Sequence, residues 1–447
     1  MIVTADDRKF AAKDAMDHKI TRRHFLRTSA TAAGALAFPN LIPASVLGAN
    51  APSKRVNVAN VGQGAMGRGH LGYCLGRADV QVVALCDVHK GVREHFCEEV
   101  NTRYAERRGK GEYKGCKTFE DYREVLEMPD LDAVTIGVPD HWHGLIAVAA
   151  CKAGKDVYCE KPLALTNWES RAIANAAKAN SVVFQTGSQQ RCNRAFRFAS
   201  GLVRNGCIGK VKEVWVSIGG PSKPFCDLPE EPVPAGLNWD FWLGPSPWRP
   251  YNSALAPDGW THSFPNWRGY GEFASGGQAD FGAHHFDIAQ WGLGTDHTGP
   301  VEVIPPDGKD VKNLTYTYAD GVKMYVGSKV PGSATQWIGE KGWVAVNRGE
   351  FLQTEPASLA GTQFGPGDIH LYESKDHFDN WFTCIRSRKP TICTAEIGHR
   401  TATICQIGII AFRLGRPLKW DPKAEKFPGD EQANRMLGRS MRAPWTL

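Results

Sequence analysis

The segment from Val56 to Gly67 constrains this chain more than any other. An apolar run, Val56-Asn57-Val58-Ala59-Asn60-Val61, leads into Gly62, Gly64 and Gly67 at G-x-G-x-x-G spacing. The run reads as a buried strand, and the residues after the glycines, opening at Ala65 and Met66, read as a helix start. The first glycine permits a tight turn, the second lets a phosphate reach the backbone, and the third lets helix and strand pack closely. The free N–H groups of the helix start then face an anion. A second apolar run from Val80 ends at Asp87, 20 residues beyond Gly67. A carboxylate at that place receives the hydroxyls of an adenosine ribose, so the unit predicts a bound NAD. NADP fits less well, because Asp87 repels a 2′-phosphate and Val88-His89 offers no arginine to hold one.

At 447 residues the chain is long for one core, which predicts two domains. Further strands are expected at Asp132 to Pro139, Asp156 to Pro162 and Val182 to Thr186. A helix from Leu145 to Ala153, closed by Gly154, and another Ala-rich helix separate them. Strands alternating with helices imply an α/β domain, a doubly wound parallel Rossmann sheet, over residues 51–190. The pattern changes near residue 190. A helix is expected from Arg194 to Asn205, and Val211 to Ile218 alternates with period two, as a half-buried antiparallel strand does. Residues 220–275 are rich in Pro, Gly and Trp without periodicity, including Trp239, Trp242, Trp248, Trp260 and Trp267. A stretch of this length is uncommon unless functional; the tryptophans either stack on sugar rings or pin a long loop. Alternating runs at Leu314–Ala319, Val322–Gly327 and Trp343–Asn347 precede helices at Ser374–Arg388 and Ala395–Leu414. The second domain, residues 191–420, is therefore expected to be α+β with a large, mostly antiparallel open sheet. Residues 421–447 are expected to return onto the core.

Charge excludes some partners. Residues 1–50 hold seven Lys/Arg and four Asp/Glu, which leaves 46 against 43 in the remainder, too balanced to predict nucleic acid as a partner. Twelve cysteines are scattered without a C-x-x-C or a Cys/His cluster, so neither a disulfide frame nor a metal site is indicated. Within residues 1–50, Thr21-Arg22-Arg23-His24-Phe25-Leu26-Arg27 precedes a modestly apolar Ala/Gly/Leu/Pro stretch. This resembles a twin-arginine export signal and predicts an extracytoplasmic protein, delivered folded by the twin-arginine machinery with cofactor bound. A cytoplasmic protein with an accidental Arg-Arg is the fallback.

Three pieces bear chemistry. Glu160-Lys161-Pro162 closes a strand at the edge where open α/β sheets bind ligands, and a lysine there can exchange a proton with a substrate hydroxyl. Asp280, His284 and Asp287 are spaced by four and three residues, which places them on one face of a helix, where an acid and an imidazole position a sugar hydroxyl and take its proton. His285 faces elsewhere. Pro139-Asp140-His141-Trp142-His143 either borders the cofactor or forms a plain loop.

Together, Gly62-x-Gly64-x-x-Gly67, Asp87, Pro139-x-x-x-His143, Glu160-Lys161-Pro162 and Gly276-Gly277…Asp280-x-Gly282-x-His284-x-x-Asp287 resemble the Gfo/Idh/MocA oxidoreductase family over about residues 54–420. The resemblance implies a Rossmann domain, a second domain whose open sheet often forms a dimer face, and a homo-oligomer, dimer or tetramer. It also implies NAD-linked oxidation or reduction of sugars and polyols. By matching position the catalytic roles fall to Lys161, Asp280 and His284, with Asp287 beside them at the substrate and Pro139, His143, Glu160 and Lys161 beside the cofactor. The export signal, with Trp-Asp-Phe-Trp-Leu-Gly-Pro at 239–245, resembles the exported branch of the family. One group of relatives hydrolyses glycosides by transient oxidation with a tightly held NAD; it departs from Glu-Lys-Pro at the lysine, whereas Lys161 is present here. The expectation is an exported NAD-dependent oxidoreductase acting on a sugar, glycoside or polyol hydroxyl. An NAD-dependent glycoside hydrolase and a non-catalytic sugar-binding protein remain as alternatives.

Overall fold

A computed structural model describes residues 55–108 and 115–447. The expected export signal lies outside the described residues. The first sheet has six strands, all parallel: β1 (Val56–Val61), β2 (Val80–Cys86), β3 (Lys117–Phe119), β4 (Ala133–Ile136), β5 (Asp156–Cys159) and β6 (Phe184–Thr186). The helices α1 (Ala65–Gly76), α2 (Lys90–Arg108), α3 (Tyr122–Leu126), α4 (Asp140–Lys152) and α5 (Asn167–Ala179) connect them. Strand order is β3-β2-β1-β4-β5-β6. The order reverses between β1 and β4, and doubly wound sheets bind ligands at that crevice. β1, β4 and β5 are almost wholly buried, as a sheet covered on both faces requires.

Two local expectations change. β3 is three residues long, with two exposed lysine and threonine positions (Lys117, Thr118), so it carries no apolar run to announce it. Helix α4 begins at Asp140, not Leu145: Pro139 stands at its N-cap with extended backbone, and the apolar period starts only after that polar and aromatic first turn.

The second part comprises α6 (Arg194–Arg204), β7 (Val211–Val216), α7 (Trp239–Leu243), α8 (Gly277–Asp280), α9 (Gly282–Leu293), β8 (Glu302–Ile304), β9 (Thr315–Thr317), β10 (Lys323–Val326), β11 (Thr335–Gly339), β12 (Trp343–Val346), β13 (Leu352–Glu355), α10 (His377–Ser387), α11 (Ala395–Leu414), β14 (Leu418–Lys419) and α12 (Glu431–Arg435). Its eight-stranded sheet runs β13-β12-β11-β7-β10-β9-β8-β14. All neighbours are antiparallel except β7 and β10, which are parallel. One face packs on α6, α9 and α11 through a core that includes Trp337, Phe286, Tyr316, Ile404 and Ile407, all fully buried.

Helix α11 joins the two halves. Thr394 caps it by accepting from the Ile397 N–H, and Gly415 closes it in the left-handed conformation; between them, it packs against α5 of the first part and α9 of the second. The first sheet also borrows late sequence. Trp381 and Phe382 of α10 sit in the same core as Val80, Val82 and Tyr158, and Trp445 meets the Trp142 ring edge-on at 4.8 Å. The Trp-rich stretch is only partly regular: Trp239, Trp242 and Trp267 are buried with Tyr251 and Phe273 in a core of their own, while Trp248 and Trp260 are exposed.

Candidate active site

The glycine loop follows β1. Gly62 has φ +84°, a conformation that L side chains rarely adopt, and a Cβ on Gly67 would lie 1.8 Å from the Gly62 carbonyl oxygen. The turn and the helix–strand contact therefore both demand glycine. Gly64 differs: a Cβ there would meet nothing within 4 Å. It is the N-cap of α1, which has no side-chain cap and no acid in its first turn, so an open cradle stands before uncapped N–H groups. At the end of β2, Asp87 accepts from the Gln63 N–H through Oδ2 (2.8 Å) and from the His89 N–H through Oδ1 (2.9 Å). Burial raises its pKa, and those two N–H groups oppose the rise. The carboxylate thereby fixes the glycine loop against the end of the second strand. These residues fit an NAD: space and donors for a pyrophosphate at Gly64, Ala65 and Met66, and an acid for the ribose at Asp87.

The loop, Asp87 and the ends of β4 and β5 open on one cavity of about 490 Å³, within the range of small-molecule sites. Pro139, Glu160 and Lys161 also line it, as do Asp280 and His284 from the second part. The Lys161 Nζ donates to Asp280 Oδ1 (2.5 Å) and to the Asp280 backbone oxygen (2.8 Å). Glu160 is buried; its Oε1 lies 3.0 Å from His70 Nε2 and accepts from Gln189 Nε2 at 2.9 Å. Burial pushes its pKa up, but the His70 hydrogen bond and charge outweigh that and hold it below the ordinary value. Glu160 thus stays ionised and braces the lysine that follows it. His284 is buried, its Nδ1 has no partner, and burial followed by the nearby Lys161 charge holds its pKa well below the usual imidazole range. It is a neutral ring with an unused nitrogen beside an ammonium.

Besides Gly67, whose place is the helix–strand contact, two expected site residues do not line the cavity. Asp287 does not line the cavity. It is fully buried, with both oxygens on Arg191 (Oδ2 to Nε 2.8 Å, Oδ1 to Nη2 2.9 Å). The run from Asp280 to Asp287 is not one helix, since α8 ends at Asp280 and α9 begins at Gly282. Asp287 turns inward, where a buried guanidinium needs its charge. His143 is likewise absent from the cavity wall. Its Nδ1 lies 2.8 Å from the Pro162 carbonyl oxygen and its Nε2 3.0 Å from that of Val138, so it braces the turns after β4 and β5. His285 is also structural: Nδ1 faces the Ser217 carbonyl oxygen at 2.5 Å, and Nε2 accepts from Arg348 at 2.6 Å.

Three residues on the wall were not singled out from sequence. Asp140, first residue of α4, is buried, and burial pushes its carboxyl up to about 8. Arg268 lies within the Trp-rich stretch and Arg348 follows β12; both line the cavity. The motif around Pro139 contained Asp140, but no spacing rule marks a lone arginine at a strand end or in an aperiodic segment. Trp260 and Thr261 close over the nucleotide end: Arg68 donates to the Thr261 oxygen at 2.6 Å, and Trp260 stacks on His95.

Comparison with known proteins agrees with this geometry. Residues 56–188 match the model of an oxidoreductase family, NAD-binding Rossmann fold, and residues 222–447 that of an oxidoreductase family, C-terminal alpha/beta domain. The chain is 38% identical over 91 residues to a levoglucosan dehydrogenase of Pseudarthrobacter phenanthrenivorans, covering 20% of this chain and 23% of that protein. It is 27% identical over 209 residues to glycosyl hydrolase family 109 protein 1 of Shewanella sp. strain MR-4, covering 43% and 45%. These matches span less than half the length of the curated relatives. An aldose-aldose oxidoreductase structure from Caulobacter crescentus, complexed with glycerol, superposes with a TM-score of 0.53 at 19% identity over 82% of this chain and 99% of that one, which is a likeness of fold. The C-terminal model alone spans half of the chain, and the chain belongs to the Gfo/Idh/MocA oxidoreductase family.

Proposed function

We propose that the protein is an NAD-dependent oxidoreductase that interconverts a sugar, glycoside or polyol alcohol and the corresponding carbonyl. The observation that carries this is the Lys161–Asp280 pair, set beside neutral His284 in the cavity that also holds the glycine loop. When bound, NAD supplies the acceptor for the hydride from the carbinol carbon. The chain supplies the rest. The Lys161 ammonium hydrogen-bonds the substrate oxygen and stabilises its developing charge, while Asp280 fixes that ammonium. His284, held neutral on the cavity wall, takes the hydroxyl proton; in the reverse direction the proton returns. The buried rings of Trp142, Trp242 and Trp267 on the cavity wall limit water there.

The test is the nicotinamide absorbance of the holoprotein as sugars, polyols and aryl glycosides are added singly. A stoichiometric change that is lost in Lys161→Ala supports the reading. The family 109 relative favours one second reading, glycoside cleavage by transient oxidation, which released aglycone with no net nicotinamide change would reveal. Silence in both would leave a sugar-binding protein.

Export is part of the same proposal. Arg22-Arg23 with the following Phe-Leu supports transport by the twin-arginine machinery as a folded protein with NAD held tightly, and a homo-oligomer is the expected assembly. Changing both arginines to lysine should retain the protein in the cytoplasm, and recovery of cofactor-free protein from the periplasm would sink the tight-cofactor claim.

A further inference from the structure

The cavity carries positive charge that the protein does not compensate. The Arg268 guanidinium carbon lies 4.1 Å from the Trp267 ring centroid and 4.6 Å from that of Phe264. Among the described residues it has no hydrogen-bond or ion-pair partner, and only more distant acids act on it. Arg348 is held by a single side-chain hydrogen bond, to His285, and no carboxylate pairs with it among the described residues. Burial lowers the pKa of both arginines. Removing a guanidinium from water without a counter-ion costs free energy, so the absence of a protein partner is informative.

The nearby acids are already committed. Asp280 binds Lys161, Glu160 binds His70 and Gln189, and Asp87 accepts two backbone N–H groups. Asp140 keeps its proton to about pH 8 because it is buried. The single helical turn Asn266–Gly269 that carries Arg268 packs against α8, which ends at Asp280, the partner of Lys161, and the acids that act on Arg268 are Asp140, Asp280 and Glu160. Arg268 therefore serves the reacting end of the cavity and not the adenosine end.

We propose that the substrate is an anionic sugar, a uronic or aldonic acid, whose carboxylate pairs with Arg268 while one of its hydroxyls lies at Lys161 and His284. A guanidinium presents paired N–H donors that match a carboxylate. Stacking on Trp267 and Phe264 fixes its plane and thins the water around it. Arg348 adds positive potential beside His284. The chemistry assigned to that hydroxyl rests on the dehydrogenase reading; the charge selectivity does not.

The experiment compares D-glucuronate, D-galacturonate and D-gluconate with D-glucose and D-galactose on the full-length NAD-loaded protein, by calorimetry for binding and by nicotinamide absorbance for turnover. The acids should bind at least tenfold more tightly than their neutral counterparts. Arg268→Gln should remove that preference, while Arg268→Lys restores part of it and shows that the Gln variant is not simply misfolded. If the acids bind with this preference and nothing turns over, the anion inference stands and the dehydrogenase reading falls. If neutral sugars bind as well as the acids, or neither class binds, the inference is overturned. It is also overturned if Arg268→Gln loses NAD affinity without changing the acid preference, for then the guanidinium serves the pyrophosphate.

Discussion

The ammonium of Lys161 and the carboxylate of Asp280 are 2.5 Å apart, and they come from opposite halves of the fold: the end of a parallel strand and the end of a four-residue helix beneath the second sheet. Two of the three ammonium donors are engaged by the Asp280 carboxylate and carbonyl. Replacing Lys161 by Met should lower kcat at least ~100-fold, as expected for loss of a donor that stabilises charge developing on the substrate oxygen. NADH binding, followed by fluorescence, should change little, because the glycine loop and Asp87 are untouched. A parallel loss of NADH affinity would mean that Lys161 serves the cofactor and not the reacting hydroxyl.

The glycines separate two effects that usually travel together. A Cβ at Gly67 would overlap the Gly62 carbonyl oxygen, whereas one at Gly64 would stand in open space. Gly67→Ala should therefore lower the melting temperature and NAD affinity together. Gly64→Ala should leave the cofactor-free melting temperature within about a degree or two, since it makes no clash, yet weaken NAD binding by an order of magnitude or more. Thermal melts with and without NAD measure both. Unchanged NAD affinity in Gly64→Ala would show that no phosphate passes there.

The first sheet was legible because its strands are continuous apolar runs and its loop is built from glycines with separate steric duties. The short strand at Lys117–Phe119 was not, since three mostly exposed residues carry no periodicity. That Lys161, Asp280 and His284 would share one cavity wall was legible because each belongs to a recognisable strand end or motif. Asp287 and His143 belong to the same motifs but are used as struts, and sequence spacing cannot distinguish a side chain that faces the cavity from one that turns inward to a buried arginine or a carbonyl. Arg268 and Arg348 were invisible for the opposite reason: what marks them is the lack of a carboxylate partner, a property of three-dimensional surroundings.

Asp287 tests that distinction directly. With Arg191 it forms a buried ion pair that Asp296 also joins, through a 2.8 Å contact to the same guanidinium. Removing one member of such a pair leaves an uncompensated buried charge and costs on the order of 3–5 kcal/mol. Asp287→Ala should thus lower stability in denaturant, though by less than that amount because Asp296 still pairs with the guanidinium, while KM in the surviving folded fraction stays close to that of the parent. A stable variant with a raised KM would return Asp287 to the substrate.

Cys97 should be the first thiol to react. The neighbouring Cys116 thiol and the Asn101 amide, which donates to Cys97 Sγ at 3.6 Å, lower its pKa to about 7 against the opposing effect of partial burial, whereas burial raises Cys74, Cys151 and Cys393. Thiolate is the nucleophile. Iodoacetamide labelling read by peptide mass spectrometry should modify Cys97 ahead of these three, with a half-maximal rate near pH 7. Labelling that rises only above pH 8.5 would rule out a lowered Cys97 pKa.

Asp140 makes stability depend on pH in a direction opposite to that of most surface carboxylates. Its ordinary value of 3.8 is raised by burial to about 8 in the folded protein. Between those values the native state keeps a proton that the unfolded chain releases, so this group's contribution is full below about pH 4 and is lost as pH rises toward 8. Asparagine has no proton to lose. The melting temperature of Asp140→Asn minus that of the parent should therefore become more positive from pH 5 to pH 8, by several degrees, since ~1 kcal/mol corresponds to roughly 2 °C in a chain of this size. Groups common to both proteins cancel in the difference. The neighbours that face Asp140 electrostatically, Arg268, Asp280 and Lys161, are among them. A difference that is flat across this range would place the Asp140 carboxylate in the ionised form, paired with one of those cations.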